Sequence, residues 1–168
     1  MEFVSRILDG SISTDLKDAL RTLSTEYRIN RDEKIRRLEE VPMFADCTRR
    51  QLREVAAISR VVELPAGTVL TRTGEPGEEF FVLVAGSATV ELSPRKRRRL
   101  GPGDFFGEMS LLDGEPRSAT VRAETDVRLL VILRRNFQAL LREVPELTHR
   151  VLETLSRRVR LLEKSLNT

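Results

Sequence analysis

Between Val61 and Leu133 the chain breaks into short apolar runs separated by glycine and proline: Val61–Leu64, Thr68–Thr71, Phe80–Val84, Ala88–Leu92, Ser118–Ala123 and Val127–Leu133. Runs of this length, rich in β-branched and aromatic residues and bounded by turn formers, are expected to be strands, and short connections pair strands antiparallel. Strands so short leave unpaired edges unless the sheet closes or a second sheet stacks on it. The expected architecture is therefore mainly β with flanking α: an antiparallel jelly-roll barrel over about residues 60–133.

Helical patterns lie on both sides. Residues 1–40 read as a helical extension, with Leu16, Leu20, Leu23 and Tyr27 recurring every three or four positions behind Ser13-Thr14. That apolar stripe needs a partner, either the barrel, a second copy of the chain or another domain. Val41-Pro42-Met43-Phe44 interrupts the pattern, and Thr48–Ile58 resumes it with Thr48 as N-cap and Leu52, Val55, Ala56 and Ile58 turned inward. Beyond the strands, Arg135–Arg142 reads as a short helix and Pro145–Leu166 as a long one. Residues 41–168 are thus expected to form one domain behind the 1–40 extension.

The chemistry concentrates between Asp104 and Val121, in the run Asp-Phe-Phe-Gly-Glu-Met-Ser-Leu-Leu-Asp-Gly-Glu-Pro-Arg-Ser-Ala-Thr-Val. Gly107 permits positive φ and close backbone approach, and small residues at Ser110, Ser118 and Ala119 leave amides accessible. Arg117 can grip a phosphate through two parallel charge-assisted bonds. Glu108 would be repelled by that anion, so its place is on hydroxyls of the same ligand. Taken singly, each residue also has a structural reading: an Arg117–Glu108 ion pair holding the turn, a turn glycine, a strand hydroxyl, core valine and leucine.

At these residues the chain resembles the phosphate-binding cassette of cyclic nucleotide-binding domains. The likeness extends to Gly74–Val90, similar to the family's early strand and hairpin, and to Leu100-Gly101-Pro102-Gly103 leading into the cassette. It implies phosphate binding by Arg117, Ser118 and Ala119, and ribose binding by Glu108 with Gly107. It implies a purine pocket of Val90, Leu100 and Met109, covered from the last helix by Arg158 with Leu162 one turn on. The ligand would be cyclic AMP or cyclic GMP, with a lean to cyclic AMP from the bacterial look of Pro116–Val121. With the anion site just upstream of the break at Pro145 and an amphipathic helix beyond it, ligand is expected to neutralise Arg117, order the turn after Gly107 and shift the helices after Leu133 over the barrel, a movement read by an effector protein or attached domain.

Other function classes find little footing. The chain has one histidine and one cysteine, His149 and Cys47, so neither a metal site of the cupin type nor a nucleophile with its base can be assembled. No enzymatic activity, cofactor or metal is expected. No run is apolar enough to span a bilayer and the start lacks a secretion signal, from which a cytoplasmic location follows as an expectation. The net charge is only +3. Its one concentrated run, Arg95–Arg99, reads as a solvated hairpin without the aromatics that stack on bases, which makes nucleic acid the weaker partner. The alternative of another class is a ligand-free interaction module working through that hairpin and the terminal helices.

Leu152, Leu155, Val159, Leu162 and Leu166 alternate steps of three and four, the seam of a two-stranded coiled coil. The stripe fits a homodimer and fits equally a helix lying on the barrel, because it is too short to choose between them.

Overall fold

The structure, a computed structural model, describes residues 31–167. The expected helix through Leu16, Leu20, Leu23 and Tyr27 lies outside them. The described chain opens with helix α1 (Arg31–Glu39), a 3₁₀ turn (Pro42–Phe44) and helix α2 (Arg49–Ile58). Thr48 caps α2 as expected: its hydroxyl accepts from the Gln51 amide while the Gln51 side chain accepts from the Thr48 amide, so both exposed donors are satisfied.

Eight strands follow: β1 (Ser59–Leu64), β2 (Val69–Thr71), β3 (Glu79–Ala85), β4 (Ala88–Ser93), β5 (Lys96–Leu100), β6 (Phe105–Phe106), β7 (Thr120–Ala123) and β8 (Val127–Leu133). They form two four-stranded antiparallel sheets of order β1-β8-β3-β6 and β2-β7-β4-β5, the jelly-roll arrangement that the strand spacing implied. Helix α3 (Glu108–Asp113) sits between β6 and β7, and α4 (Arg134–Glu143) and α5 (Pro145–Leu166) close the described chain.

Alternation along the strands sorts the core into two layers. Phe81 and Leu83 of β3, with Leu129 and Val131 of β8, pack between the sheets among Val62, Val90, Leu100, Phe106 and Val121. Phe80 and Val82, with Leu130 and Ile132, face the other way onto the helices, where they meet Leu38, Val55, Phe137 and Leu147. Phe80 stacks on Phe137 at 4.5 Å between ring centroids. Because β3 and β8 are covered on both faces, they read as continuous apolar runs rather than alternating ones.

The basic run forms the exposed hairpin expected of it: Lys96–Leu100 is β5, paired antiparallel with β4 around a turn at Pro94-Arg95, and Arg95, Lys96, Arg97 and Arg99 are exposed while Arg98 is half-buried. Register with β4 fixes the faces: Thr89 opposes Arg99 and Val90 opposes Arg98. Arg99 therefore points outward to Glu124, at 3.3 Å, whereas Arg98 shares the inward face of Val90 and Leu100. A strand of alternating faces cannot turn the whole run Arg95–Arg99 to solvent.

The long helix likewise answers in two parts. Leu147 and Val151 are buried and Leu155 packs against the helical layer of the core, while Leu152, Val159, Leu162 and Leu166 are exposed. Its first half is core and its second half carries the stripe beyond it.

Candidate functional site

Arg117 is 6% exposed and is held from three sides. Its Nη1 donates to the Gly107 carbonyl at 2.9 Å; its Nη2 donates to the Glu79 carbonyl at 2.8 Å and to the Glu79 carboxylate at 3.2 Å. The guanidinium also lies over the Phe81 ring, 5.7 Å from its centroid. Its backbone is pinned as well, the Arg117 amide donating to Glu75 and its carbonyl accepting from Gly74, both near 2.9 Å. Burial draws the Arg117 guanidinium below its ordinary pKa, and the Glu79 carboxylate beside it pulls the other way.

Two glycines make room for this guanidinium. Gly107 sits at φ +88°, and a Cβ built there would fall 2.8 Å from the Glu79 carbonyl and 2.9 Å from Arg117 Nη1. At Gly77 a Cβ would stand 2.3 Å from Ser110 Cβ and 3.0 Å from Arg117 Cζ. Gly107→Ala is expected to cost at least about 2 kcal/mol from the left-handed backbone alone. A melting curve should show a fall of roughly 4–8 °C for a chain of this size; an unchanged midpoint would mean that the turn relaxes freely.

Glu108 is only 1% exposed, and its carboxylate accepts a hydrogen bond from Nη1 of Arg158 on α5. Arg158 Nη2 donates to the Phe105 carbonyl at 2.5 Å, with the guanidinium 5.2 Å above the Phe105 ring. Arg117 and Glu108 thus do not pair with each other. Each takes a separate partner, Glu79 for the arginine and Arg158 for the carboxylate.

The remaining expected residues are placed as follows. Ser118 is exposed at the rim, its hydroxyl 3.8 Å from the Met109 sulfur, and Met109 is 49% exposed. Ala119 packs against the inter-sheet core, to which Val90 and Leu100 belong. Leu162 is 54% exposed and joins none of these contacts. Glu79, Gly77 and Arg98 were not singled out in the sequence. A carboxylate heading a fully apolar strand is the signal for Glu79, whereas the sequence carries none for Arg98, which only its register with Val90 turns inward.

The other reactive groups stay apart. His149 is exposed, its Nε2 2.8 Å from the Glu153 carboxylate one helical turn on. Burial, reinforced by Glu146 and Asp46, pushes the Cys47 thiol up to about 11, so it is protonated at neutral pH. Alkylation of Cys47 by iodoacetamide is expected to be slow at pH 7 and to accelerate as pH approaches that value; fast labelling at neutral pH would contradict this. Among the described residues no group of histidine, cysteine and carboxylate side chains is arranged to hold a metal, and no helix is long and apolar enough to cross a membrane.

The model of the cyclic nucleotide-binding domain matches residues 61–144, half of the chain, and spans the cassette and the strands that carry it. The chain belongs to the cyclic nucleotide-binding domain family. A cyclic nucleotide-gated potassium channel of Mesorhizobium japonicum is 45% identical over 107 residues, 64% of this chain and 30% of the channel. A cAMP-dependent protein kinase regulatory subunit of Aspergillus fumigatus is 35% identical over 153 residues, 83% of this chain and 36% of the subunit. Among solved structures, the catabolite activator protein of Thermus thermophilus superposes with a TM-score of 0.67 at 29% identity, covering 75% of this chain and 62% of that one. The chain spans about a third of the length of these curated relatives. As a cyclic nucleotide-binding domain it is a regulatory ligand-binding module rather than a catalyst.

Proposed function

We propose that this domain senses cyclic AMP or cyclic GMP and reports occupancy to an effector through α5. In this reading the cyclic phosphate lies on Arg117, the Ser118 hydroxyl and amide, and the Ala119 amide. A ribose hydroxyl donates to Glu108, supported by the Gly107 amide. The purine lies against Val90, Leu100 and Met109, with Arg158 and Leu162 approaching from α5. Cyclic AMP is named in the Aspergillus relative, and the cassette leans the same way. Because the cassette touches phosphate and ribose, the base must be read elsewhere.

One observation carries the reading: Arg158 holds the carboxylate that the ribose needs. A ribose hydroxyl donating to Glu108 shares its carboxylate with the guanidinium that anchors α5, so nucleotide and helix are coupled through one group. A ligand moves a helix only by binding one of its positions better than another, and this shared group supplies the difference. Kinase regulatory subunits among the relatives support a protein effector. Amide hydrogen exchange across Pro145–Leu162, with and without saturating cyclic AMP or cyclic GMP, tests the coupling. Protection around Arg158 is expected to change; identical protection in ligand-saturated protein would rule out a moving helix, and binding of neither nucleotide would rule out the sensor.

The exposed face of α5 formed by Leu152, Val159 and Leu166 supports a homodimer seam, since these residues find no cover among the described residues. Sedimentation is expected to give a dimer that Leu152→Glu with Val159→Glu reduces to a monomer. A monomeric wild-type protein would retire the seam.

A further inference from the structure

The tip of the β4–β5 hairpin and the far end of α5 lie side by side, Lys96 Nζ donating to Ser165 Oγ at 3.1 Å. Each brings cations that the domain does not neutralise. Arg99 and Arg122 take up Glu124 and Glu91, but Arg95, Lys96 and Arg97 are exposed and meet no carboxylate at ion-pair distance among the described residues. On α5, Arg158 takes Glu108, whereas the exposed Arg157 and Arg160 have no such partner among the described residues. Glu163 is the one carboxylate between Ser156 and Asn167.

The same end is also apolar. Leu161 is 63% exposed, Leu162 54% and Leu92, two residues before Pro94, 47%. At about 100° per residue, Leu161 stands on the side of α5 opposite Leu152 and Val159, so it has no place in a seam built on them. Leucines exposed together among cations mark a surface that meets a partner. Nucleic acid would use the cations alone: no aromatic residue lies in Leu92–Arg99 or Ser156–Asn167 to stack on bases, and phosphates give leucine nothing. A lipid surface of negative charge uses both. It attracts arginine and lysine within a Debye length of about 10 Å. Its headgroup boundary takes up the leucines of a helix lying in its plane.

We propose that the tip of the β4–β5 hairpin and the distal half of α5 form one docking surface for an anionic phospholipid membrane. Arg95, Lys96, Arg97, Arg157 and Arg160 meet the headgroups, and Leu161 enters the boundary beneath them. The surface holds the domain at a membrane without spanning it, since among the described residues no helix is long and apolar enough to cross one. It uses neither Arg117 nor Glu108, whose partners are Glu79 and Arg158. Each cation near such a surface contributes about fivefold in partitioning, and salt screens the attraction.

Sedimentation of the full chain with vesicles tests it, using phosphatidylcholine alone and phosphatidylcholine mixed with phosphatidylserine. The wild-type protein is expected to bind the mixed vesicles at least about tenfold more tightly than the neutral ones, and to be released as salt rises. Arg95→Gln with Arg97→Gln should lower that binding at least about tenfold. Leu161→Gln should lower it at least about threefold. Arg49→Gln with Arg53→Gln removes the same charge from α2, which packs on α1 and β1, and should leave binding within about twofold. All five side chains are exposed, so unchanged melting curves verify that the variants fold. Wild-type binding no tighter to the mixed vesicles than to the neutral ones would overturn the proposal. So would equal losses from the hairpin pair and the α2 pair, which would reduce the effect to net charge. Binding untouched by Leu161→Gln would overturn the inserted helix face, and a DNA duplex bound as tightly as the mixed vesicles would assign the surface to nucleic acid instead.

Discussion

Arg117→Ala is expected to abolish the nucleotide response and also to lower the melting temperature of the unliganded domain by about 10 °C. The second effect follows from what the guanidinium does without ligand. It neutralises the buried Glu79 carboxylate at 3.2 Å and satisfies the carbonyls of Glu79 and Gly107. Removing one partner of a buried ion pair strands the other, at a cost of about 3–5 kcal/mol. Wild-type protein at a hundredfold excess of nucleotide over its dissociation constant should gain about 2.7 kcal/mol, several degrees at this size. Arg117→Lys separates the two roles: it keeps the charge beside Glu79 and loses the fork that grips a phosphate. It should recover part of the unliganded stability and little of the ligand shift. A nucleotide shift that survives Arg117→Ala would place the phosphate elsewhere, and an unchanged unliganded midpoint would mean that the Glu79 pair contributes nothing.

The same residue shows what the sequence could and could not reveal. Short runs punctuated by glycine and proline disclosed six of the eight strands and their antiparallel pairing, because turn chemistry is a local property, whereas β5 and β6 lie outside those runs. Thr48 and Pro145 marked helix starts for similarly local reasons. Gly107 and Arg117 stood out by residue type and spacing. Their partners did not, because Arg117 meets Glu79 across 38 residues and Glu108 meets Arg158 across 50. Those meetings depend on which strand lies beside which and on where α5 leaves the core. Arg98 is the sharpest case. Within Arg95–Arg99 nothing distinguishes it from its neighbours, and only the register of β5 against β4 turns it inward while Arg99 turns out. A charged run reads as a solvated face until pairing assigns alternate residues to opposite sides. The stripe on α5 was ambiguous for a related reason: the spacing of apolar residues is the same for a core helix and a dimer seam, and here the helix is one and then carries the other's pattern.

Breaking the Glu108–Arg158 pair is the second change with a large expected effect. Glu108 is 1% exposed, so Arg158→Met leaves a carboxylate with little access to water and without its hydrogen-bonded cation; about 3 kcal/mol or more of stability should be lost. Glu108→Gln leaves Arg158 its contacts with the Phe105 carbonyl and ring, so the loss should be smaller. The double variant should be more stable than the sum of the two predicts, by at least about 1 kcal/mol, since no buried charge is then stranded at this point. Denaturant unfolding of all four proteins measures that difference, and strict additivity would mean that the pair is not coupled. Nucleotide adds a readout that stability alone cannot mimic. Glu108→Gln removes a charged acceptor for the ribose and should weaken binding at least about tenfold. Arg158→Met removes the link from that carboxylate to α5, so nucleotide should still bind while hydrogen exchange in the helix no longer responds to it. If the helix still responds in Arg158→Met, the signal leaves the pocket by another route, and the carboxylate serves the ligand without transmitting its arrival.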